Sequence, residues 1–315
     1  MRIVLTGTSS FTGYWFARAM HEAGHEIVAV FSSADCADAY PGVRGRRVEQ
    51  LKRLCRSEFA APFGSDAFLA LLRSLGRFDA LCHHWAETRG YRDPGFDAVA
   101  ALGANARRLP EVLRLSQDCG CGRLVLTGSV FAQNEGIGNP PLRAFSPYGL
   151  SKGLTAQFFE YCCEREGMPL DRFVIPNPFG PYEEPRFTNY LMQTWLAGGA
   201  ANVATPNYVR DNIHVDLLAR AYAAFVEGAG AGGRVLGPSL YVETQGAFAE
   251  RVAREVRARL PLACDLGLAE QTSYTEPCIR INTDVGLGIE LRWSEAAAWD
   301  AFVAYYAELY GSAGR

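Results

Sequence analysis

Tyr148 and Lys152 are the residues whose types and spacing most directly predict chemistry. Lys152 is one of only two lysines among 31 lysine and arginine residues. Ser146 and Pro147 are typical of a helix start, and a spacing of four places Tyr148 and Lys152 on one face of that helix. A tyrosine whose pKa falls from ~10 toward 7 needs roughly 4 kcal/mol of phenolate stabilisation, which a nearby ammonium and the helix N-terminus can supply. The pair predicts an acid–base site.

The choice of lysine over arginine also carries information. Lysine has three rotatable donors on a flexible stem, which suits contact with two ribose hydroxyls at once, whereas arginine presents a rigid planar fork. We therefore expect Lys152 to bind a ribose and to assist Tyr148.

A hydroxyl partner for Tyr148 is expected at the end of the preceding strand, in RLVLTGS (123–129). Either Thr127 or Ser129 can hydrogen-bond a substrate hydroxyl or carbonyl while Tyr148 moves the proton. We expect the chain to bend at Gly128, because glycine weakens a strand. Thr127 would then hold the last regular position and face the Tyr148 helix, with Ser129 beyond the bend.

A glycine-rich turn, TGTSSFTG (6–13), follows the first strand. Such a turn lets backbone N–H groups reach a pyrophosphate at the N-terminus of the next helix. The usual spacing expects glycine at positions 7, 10 and 13, but position 10 is serine, which narrows the approach or replaces a lost contact. The dinucleotide-binding residues predicted here are Gly7, Ser9, Ser10, Phe11, Thr12 and Gly13.

The end of the second strand bears on cofactor choice. An acid there would bind the adenosine ribose diol and favour NAD, but the chain has Phe31, Ser32 and Ser33. Serine hydroxyls can bind a 2′-phosphate, and nearby arginines can reach it or instead form a solvated face. The cofactor prediction is NAD or NADP, with a slight preference for NADP. The arginines concerned are Arg44, Arg46 and Arg47.

The elements that must position these residues alternate in type. Strands are predicted at 2–6, 26–31, 79–83, 123–127 and 172–176, and helices at 11–23, 65–76, 95–118 and 146–167. This alternation predicts an α/β fold, a doubly wound parallel sheet with a ligand site at the carboxyl ends of the strands. Further helices near 188–198 and at 215–227, with shorter elements, predict a smaller C-terminal lobe.

Composition excludes several classes of function. The 315-residue chain has a net charge of −3 and scattered arginines, which argues against binding to nucleic acid or to a membrane surface. No apolar run reaches the ~18 residues of a membrane span, and the N-terminus lacks a signal-peptide pattern. We expect a cytoplasmic protein without a metal site.

Taken together, the motifs resemble those of the extended short-chain dehydrogenases/reductases, in the group of nucleotide-sugar epimerases, dehydratases and reductases. TGTSSFTG, YGLSK, FDALCHHWAE (78–87), VIPNPFGP (174–181) and VRDNIHVDLLARAY (209–222) carry the resemblance over nearly the whole chain. It implies a Rossmann sheet, with Tyr148 and Lys152 also touching the cofactor. Alignment on Val130 places Thr127 at the catalytic hydroxyl position. The resemblance adds His84, Trp85, Ala86 and Pro176 to the cofactor residues.

The same resemblance implies a substrate and its contacts. Asn177 and Asn189 match positions that hold the nucleotide sugar, and Arg210 matches an arginine that pairs with the diphosphate. Arg280 is a second candidate clamp, and Ser129 a further substrate residue. Asn105 falls where the family keeps a structural asparagine. We expect a homodimer, with a dinucleotide-binding domain at 1–176 that also receives helix 215–230, and a substrate-binding lobe at 177–214 and 231–315.

Gly128 and Ser129 reduce the number of candidate reactions. Related dehydratases carry an acidic pair after the catalytic hydroxyl residue, so dehydration is disfavoured here. A nucleotide-sugar 4-epimerase and an NADPH-dependent reductase or dehydrogenase of a nucleotide-linked keto sugar remain. The resemblance in 174–192 favours the epimerase, which would hold tightly bound NAD, and the missing acid after strand two favours the NADPH-dependent reductase. A catalytically silent cofactor-sensing protein is less favoured, because it would not need the Thr127, Tyr148 and Lys152 set.

Overall fold

The structure, a computed structural model, describes residues 1–228 and 232–311. The strands are β1 (Arg2–Thr6), β2 (Glu26–Val30), β3 (Arg56–Glu58), β4 (Ala80–His83), β5 (Arg123–Ser129), β6 (Ile137–Gly138), β7 (Leu170–Ile175), β8 (Asn177–Phe179), β9 (Ala201–Val203), β10 (Val209–His214), β11 (Val235–Leu236), β12 (Tyr241–Thr244), β13 (Leu266–Leu268) and β14 (Ile279–Ile281). The helices are α1 (Phe11–Glu22), α2 (Val43–Leu54), α3 (Asp66–Leu75), α4 (Ala98–Asn105), α5 (Leu109–Asp118), α6 (Pro147–Glu166), α7 (Phe187–Leu196), α8 (Val215–Glu227), α9 (Gln245–Arg257), α10 (Leu287–Glu290) and α11 (Glu295–Gly311), with a 3-10 turn at Ala37–Ala39.

The largest sheet has seven parallel strands in the order β11-β7-β5-β4-β1-β2-β3. The strand order reverses beside β1, which is the arrangement of a doubly wound α/β fold. Residues of α3, α5 and α6 pack against one face of this sheet, around Leu81, Leu124 and Leu126. On the other face Phe16 of α1 contacts Phe173 of β7. The predicted Rossmann-type fold class is confirmed.

One sequence expectation about this part of the chain was wrong, and two elements were missed. The segment 95–118 is two helices, because Arg108 adopts a left-handed conformation before Pro110 opens α5. The helix α2 and strand β3 were not expected, since α2 buries only Arg47, Val48 and Leu51 and lacks a regular apolar stripe.

Serine side chains start three of the helices that frame the sheet. Ser10, Ser65 and Ser146 each accept a hydrogen bond from a backbone N–H in the first turn of α1, α3 and α6. Gly167 ends α6 in the left-handed conformation that glycine adopts readily. These caps fix where the first turns of α1 and α6, the two helices with the candidate chemistry, begin.

Strands from the later part of the chain form a second, mixed sheet together with β6, in the order β12-β10-β14-β6, with β8 also paired to β10. A separate two-stranded sheet joins β13 and β9. The hydrophobic core of this part of the chain is strongly aromatic. Its buried aromatic side chains include Trp195, Phe248, Trp299, Phe302 and Tyr306.

Internal contacts divide the chain into two units. Unit 1 contains Met1–Glu135, Pro141–Ile175 and Ala219–Gly237, and unit 2 contains Gly136–Pro140, Pro176–Leu218 and Pro238–Arg315. Residues 229–231 and 312–315, which fall within the predicted domain ranges, lie outside the described residues. The predicted assignment of a dinucleotide-binding domain and a substrate-binding lobe stays a prediction.

Within the described residues, none of the helices has the length and apolar character needed to cross a membrane. The predicted cytoplasmic location stays a prediction. The same residues include no cluster of three or more histidine, cysteine, aspartate or glutamate side chains able to hold a metal ion.

Candidate active site

The glycine-rich turn of unit 1 links β1 to α1 and requires glycine at two positions. Gly7 has φ +76°, and a Cβ there would lie 2.7 Å from the backbone nitrogen of Trp85. A Cβ on Gly13 would lie 2.2 Å from the carbonyl oxygen of Gly7. The backbone of the turn therefore lies close to its neighbours and carries no side chain at these two positions. An anion site at the N-terminus of α1 needs such a backbone.

Ser10 explains why the middle glycine is dispensable here. It has φ −72° and ψ 165°, a conformation open to any residue, and its Oγ accepts a hydrogen bond from the N–H of Gly13. The same hydroxyl donates to the carbonyl oxygen of Gly7 at 2.8 Å. Ser10 thus replaces glycine by capping the helix and bracing the turn.

Two histidines, the last residue of β4 and the residue after it, contact different neighbours. The His83 Nε2 donates to the carbonyl oxygen of Asn105 at 3.1 Å, so its Nδ1 accepts from the Thr6 hydroxyl at 3.0 Å. The His84 Nε2 lies 3.0 Å from both the Ser10 and Thr12 hydroxyls, beneath the glycine-rich turn. Burial lowers the pKa of each histidine to about 3, with the Lys152 ammonium adding to the effect, so both rings are neutral.

Hydrogen bonds to two polar side chains hold the segment after β4 in place. The Thr6 hydroxyl accepts from the backbone N–H groups of His84 and Trp85, at 3.2 and 3.1 Å. The Asn105 side chain accepts from the N–H of Glu87 at 2.8 Å and donates to the Thr155 hydroxyl of α6 at 3.0 Å. This arrangement holds the half-buried Trp85 and Ala86 beside the glycine-rich turn.

The residues after β2 form a polar patch with α2. Phe31 is buried and stacks on Phe59, whereas Ser32 and Ser33 are half-buried. The Arg44 guanidinium donates to the Ser9 hydroxyl from Nε and Nη2, at 3.0 and 2.7 Å. It also lies 5.3 Å from the ring centre of Tyr40, whose hydroxyl donates to the carbonyl oxygen of Ser33. Arg44 therefore joins the glycine-rich turn to the segment after β2.

Arg47 is fully buried and donates from Nε to the carbonyl oxygen of Ser9 at 3.0 Å. It is a structural part of the turn and not part of a solvated face.

Tyr148 and Lys152 lie in the first two turns of α6, as their spacing predicts. The Tyr148 ring is half-buried and makes edge contacts with Tyr91 and Phe96, at centroid distances of 5.5 and 6.2 Å. Lys152 is 6% exposed, and its Nζ donates to the carbonyl oxygen of Thr127 at 2.8 Å. Burial lowers the pKa of Lys152 to about 8. Among the described residues, no carboxylate lies within ion-pair distance of this ammonium.

The two candidate hydroxyls share one face of a regular strand. β5 continues through Gly128 to Ser129, and Thr127, Gly128 and Ser129 pair in register with Phe173, Val174 and Ile175. The expected bend at Gly128 is therefore wrong, and Thr127 is not the last regular position. The Ser129 hydroxyl accepts from the backbone N–H of Phe131 at 3.2 Å, whereas the Thr127 hydroxyl is enclosed.

Thr127 faces a residue that sequence reasoning missed. Burial raises the pKa of Tyr222 on α8 well above its usual value, Cys82 adds to this, and the nearby Thr127 hydroxyl acts against it. Within the described chain, neither the Thr127 nor the Tyr222 hydroxyl makes a hydrogen bond of normal geometry. Thr127 therefore has an unused hydrogen-bonding group beside the carbonyl that binds Lys152.

In unit 2, Pro176 is buried and is the residue that follows β7 in the chain. Asn177 is half-buried at the start of β8. Asn177 is the register partner of Asn212 on β10. Asn212 is only 5% exposed, yet its Nδ2 has no hydrogen-bond partner in the described residues. This buried amide was not singled out from the sequence, because only strand pairing places it beside Asn177.

Asn189 lies in the first turn of α7 and is 4% exposed. Its N–H donates to Glu183 Oε1 at 2.8 Å, and its side-chain oxygen accepts from the Tyr310 hydroxyl at 3.1 Å. Glu183 also accepts from the Thr188 and Tyr306 hydroxyls. Burial raises the pKa of Glu183 to about 7, against the opposing effect of these donors.

Arg210 on β10 is buried and surrounded by acceptors from one loop of unit 2. Its Nη2 donates to Glu276 Oε2 at 3.0 Å, and its Nη1 donates to the carbonyl oxygens of Pro277 and Cys278, at 3.0 and 3.2 Å. Arg280, its register partner on β14, is fully buried. The structure thus brings the two predicted arginines to neighbouring strands.

The sequence matches the family model described as the NAD-dependent epimerase/dehydratase family over residues 3–236. The chain belongs to the NAD-dependent epimerase/dehydratase family. The predicted resemblance to extended short-chain dehydrogenases/reductases is therefore confirmed, as is a cofactor of the NAD(P) class. A search of curated proteins found no match to the sequence.

Solved structures with the same fold include members with nucleotide sugars bound. A UDP-glucuronic acid 4-epimerase mutant from Bacillus cereus is 16% identical with a TM-score of 0.75, covering 98% of this chain and 100% of its own. The UDP-glucose 4-epimerase of Thermotoga maritima is 18% identical with a TM-score of 0.72, covering 98% and 99%. A dTDP-glucose 4,6-dehydratase from Streptomyces venezuelae, solved with NAD, is 21% identical with a TM-score of 0.72, covering 99% and 98%.

The residues of this family member fit a dinucleotide at the end of β1. The bare backbone of the glycine-rich turn, the N-terminus of α1 and the uncompensated Lys152 ammonium supply an anion site and a donor for hydroxyl groups. The turn, the segment after β4 and α6 would hold the cofactor in unit 1.

Proposed function

We propose that this protein is an NAD(P)-dependent 4-epimerase of a nucleotide sugar. Gly128 and Ser129 after Thr127 are the observation that carries the proposal within the family. They leave the end of β5 without the acidic pair that elimination uses, while Tyr148 and Lys152 keep the groups for reversible oxidation. The shared fold with two 4-epimerases supports the same assignment.

In this proposal Tyr148 takes the proton from the C4 hydroxyl and later returns a proton to the 4-keto oxygen. NAD(P) held by the residues of unit 1 would supply the hydride-transfer chemistry that oxidation and reduction at C4 need. Lys152 stabilises the Tyr148 phenolate through its positive charge and binds the ribose of the cofactor. Thr127 hydrogen-bonds the oxygen on C4, using the hydroxyl that has no normal hydrogen bond among the described residues.

The substrate contacts implied by the family resemblance stay predictions. Ser129 belongs to unit 1, and Asn177, Asn189, Arg210 and Arg280 belong to unit 2. Arg210 is proposed to bind the diphosphate, because charge-assisted bonds from a guanidinium suit phosphate oxygens. Asn177 and its neighbour Asn212 offer amide groups for a sugar hydroxyl.

We further propose that the cofactor is NADP. Ser32 and Ser33 replace the acid that would repel a 2′-phosphate, and Arg44 lies between this segment and Ser9. Identification by mass spectrometry of the dinucleotide released from denatured protein tests this, and NAD as the released species would refute it.

The same patch favours a second candidate, an NADPH-dependent reductase of a nucleotide-linked keto sugar. The two candidates differ in whether the cofactor is consumed. A reductase needs one NADPH for each product formed, whereas an epimerase reuses the bound cofactor and shows no net consumption.

The deciding experiment incubates purified protein, without added cofactor, with UDP- and dTDP-hexoses and follows the configuration at C4 by proton NMR. The epimerase proposal predicts an equilibrium mixture of two 4-epimers. Conversion only with stoichiometric NADPH would support the reductase, and formation of a 4-keto-6-deoxy sugar would show a dehydratase.

We also propose that the protein is a homodimer formed through α4 and α6. Leu150, Phe158 and Tyr161 form an exposed stripe on α6, and Val99 is 73% exposed on α4. Apolar side chains at helical spacing suit a second copy of the same surface. Light scattering should give twice the chain mass of 34.5 kDa, and a Phe158→Glu, Tyr161→Glu variant should be monomeric. A monomeric native protein would contradict the proposal.

A further inference from the structure

Arg210 is already paired with an anion of its own unit. Its side chain is 6% exposed, whereas that of Glu276, whose carboxylate it binds, is 47% exposed. Glu276 lies in a segment without regular structure between β13 and β14. The guanidinium therefore donates to a carboxylate through an N–H group of the kind that phosphate oxygens also accept.

The backbone beside Glu276 is held independently of its carboxylate. The Tyr208 hydroxyl accepts from the backbone N–H groups of Thr275 and Glu276, at 2.9 and 3.2 Å. Arg210 lies 4.5 Å from the Tyr208 ring centre and bonds the carbonyl oxygens of Pro277 and Cys278 through Nη1. The Glu276 side chain can therefore turn toward solvent while the loop backbone and Arg210 stay in place.

We propose that Glu276 is an internal competitor for Arg210, which the substrate's diphosphate displaces. The inference rests on the proposed nucleotide-sugar function. A diphosphate brings about two negative charges and several acceptor oxygens, so it can replace one half-exposed carboxylate. A ligand with one phosphate competes less well. Glu276 thus lowers affinity for all anions and favours the diphosphate among them.

The test compares Glu276→Gln with Glu270→Gln by isothermal titration calorimetry. Both residues lie in the chain between β13 and β14 and both variants remove one negative charge, but Glu270 is exposed and does not contact Arg210. UDP and dTDP serve as probes, with UMP and dTMP as their monophosphate counterparts. We expect Glu276→Gln to bind the preferred diphosphate about tenfold more tightly than the native protein, and Glu270→Gln to bind it within about twofold.

Three further results test whether Glu276 competes with the diphosphate for Arg210. Relief of competition should raise monophosphate affinity at least as much as diphosphate affinity. An Arg210→Gln background should abolish the gain from Glu276→Gln. An unchanged or weaker diphosphate affinity in Glu276→Gln, with a lower melting temperature, would overturn the proposal and assign the ion pair a structural role.

Failure of the proposed function would look different. If UDP, dTDP, GDP, ADP and CDP all failed to bind either protein while NADP still bound, the nucleotide-sugar assignment itself would fall, and the Glu276 proposal with it. Binding of a diphosphate to native protein with no effect of Glu276→Gln would overturn only the competition.

Discussion

Lys152 in unit 1 and Arg210 in unit 2 are both buried cations, but their counter-charges differ. Lys152 Nζ donates to a backbone carbonyl, and no carboxylate of the described residues lies within ion-pair distance. Arg210 donates to the Glu276 carboxylate and to carbonyls of the same loop. Burial alone lowers the pKa of Lys152 to about 8, whereas Glu276 opposes the lowering that burial causes at Arg210.

The difference indicates two ways of preparing a cation for a ligand. An uncompensated ammonium is costly to bury, and strongly perturbed groups of this kind concentrate at functional sites. A compensated guanidinium is less costly, but its ligand must displace the internal partner. In the proposed roles, Lys152 gains charge stabilisation from its ligand, and Arg210 exchanges one anion for another.

Lys152→Arg should have the largest effect. The guanidinium keeps the charge but is larger and planar, so it cannot occupy the buried position of Nζ or bind two ribose hydroxyls in the same way. We expect kcat to fall about 100-fold or more. Steady-state kinetics would check this, with Lys52→Arg as the matched control, because Lys52 pairs with Asp35 and Glu49 on the surface. Near-native turnover in Lys152→Arg would disprove the proposed role.

Thr127→Val should come next. The change is nearly isosteric and removes only the hydroxyl, so a loss of about 100-fold in kcat is expected for a positioned hydrogen-bond partner. Ser129→Ala should cost much less. Matched kinetics on the two variants would check the order, and a larger loss at Ser129 would mean that the alignment on Val130 is wrong by two residues.

Arg44→Ala should lower NADP affinity about tenfold and leave NAD affinity nearly unchanged, because only NADP carries the 2′-phosphate. Ser32→Asp should act in the same direction through charge repulsion. Fluorescence titration of both dinucleotides would check this. Equal losses for NAD and NADP in Arg44→Ala would show that Arg44 supports the turn through Ser9 and does not read the phosphate.

Asn212→Ala should have the smallest effect, a rise of about fivefold in KM with little change in kcat. The Asn212 Nδ2 makes no hydrogen bond within the described residues, so thermal stability should change little. Asn202→Ala is a suitable control, because Asn202 is exposed on β9 of the same unit, and β9 pairs with β13 and not with the strand of Asn177. A large loss of stability with unchanged KM would assign Asn212 to the fold.

The sequence could predict the cofactor side because its information is local. Tyr148 and Lys152 are four residues apart on one helix, and the turn from Gly7 to Gly13 is a continuous segment. The sheet followed from the alternation of short apolar strands with helices. The part of the candidate site whose placement could be predicted is therefore the part that one or two elements define.

The remaining features depend on contacts between distant segments. Glu276 lies 66 residues from Arg210, and His84 lies 74 residues from Ser10, so neither pairing leaves a pattern in the chain. The expected bend at Gly128 failed because pairing with β7 keeps β5 regular. Helix α2 was missed because an arginine, Arg47, occupies one of its few buried positions.

The titration of the two lysines tests the central comparison most directly. Protein labelled with carbon-13 at lysine Cε should show two signals, since the chain has only Lys52 and Lys152, and Lys52→Arg assigns them. In the cofactor-free protein, Lys152 should titrate at about 8, while the hydrogen bonds that Lys52 donates to Asp35 and Glu49 raise its pKa above 10.5. Because burial disfavours the Lys152 ammonium, its cost to stability should be full below pH 8 and vanish as pH rises toward 10.5. A Lys152 signal that titrates at or above 10.5 would contradict the account of an uncompensated buried cation.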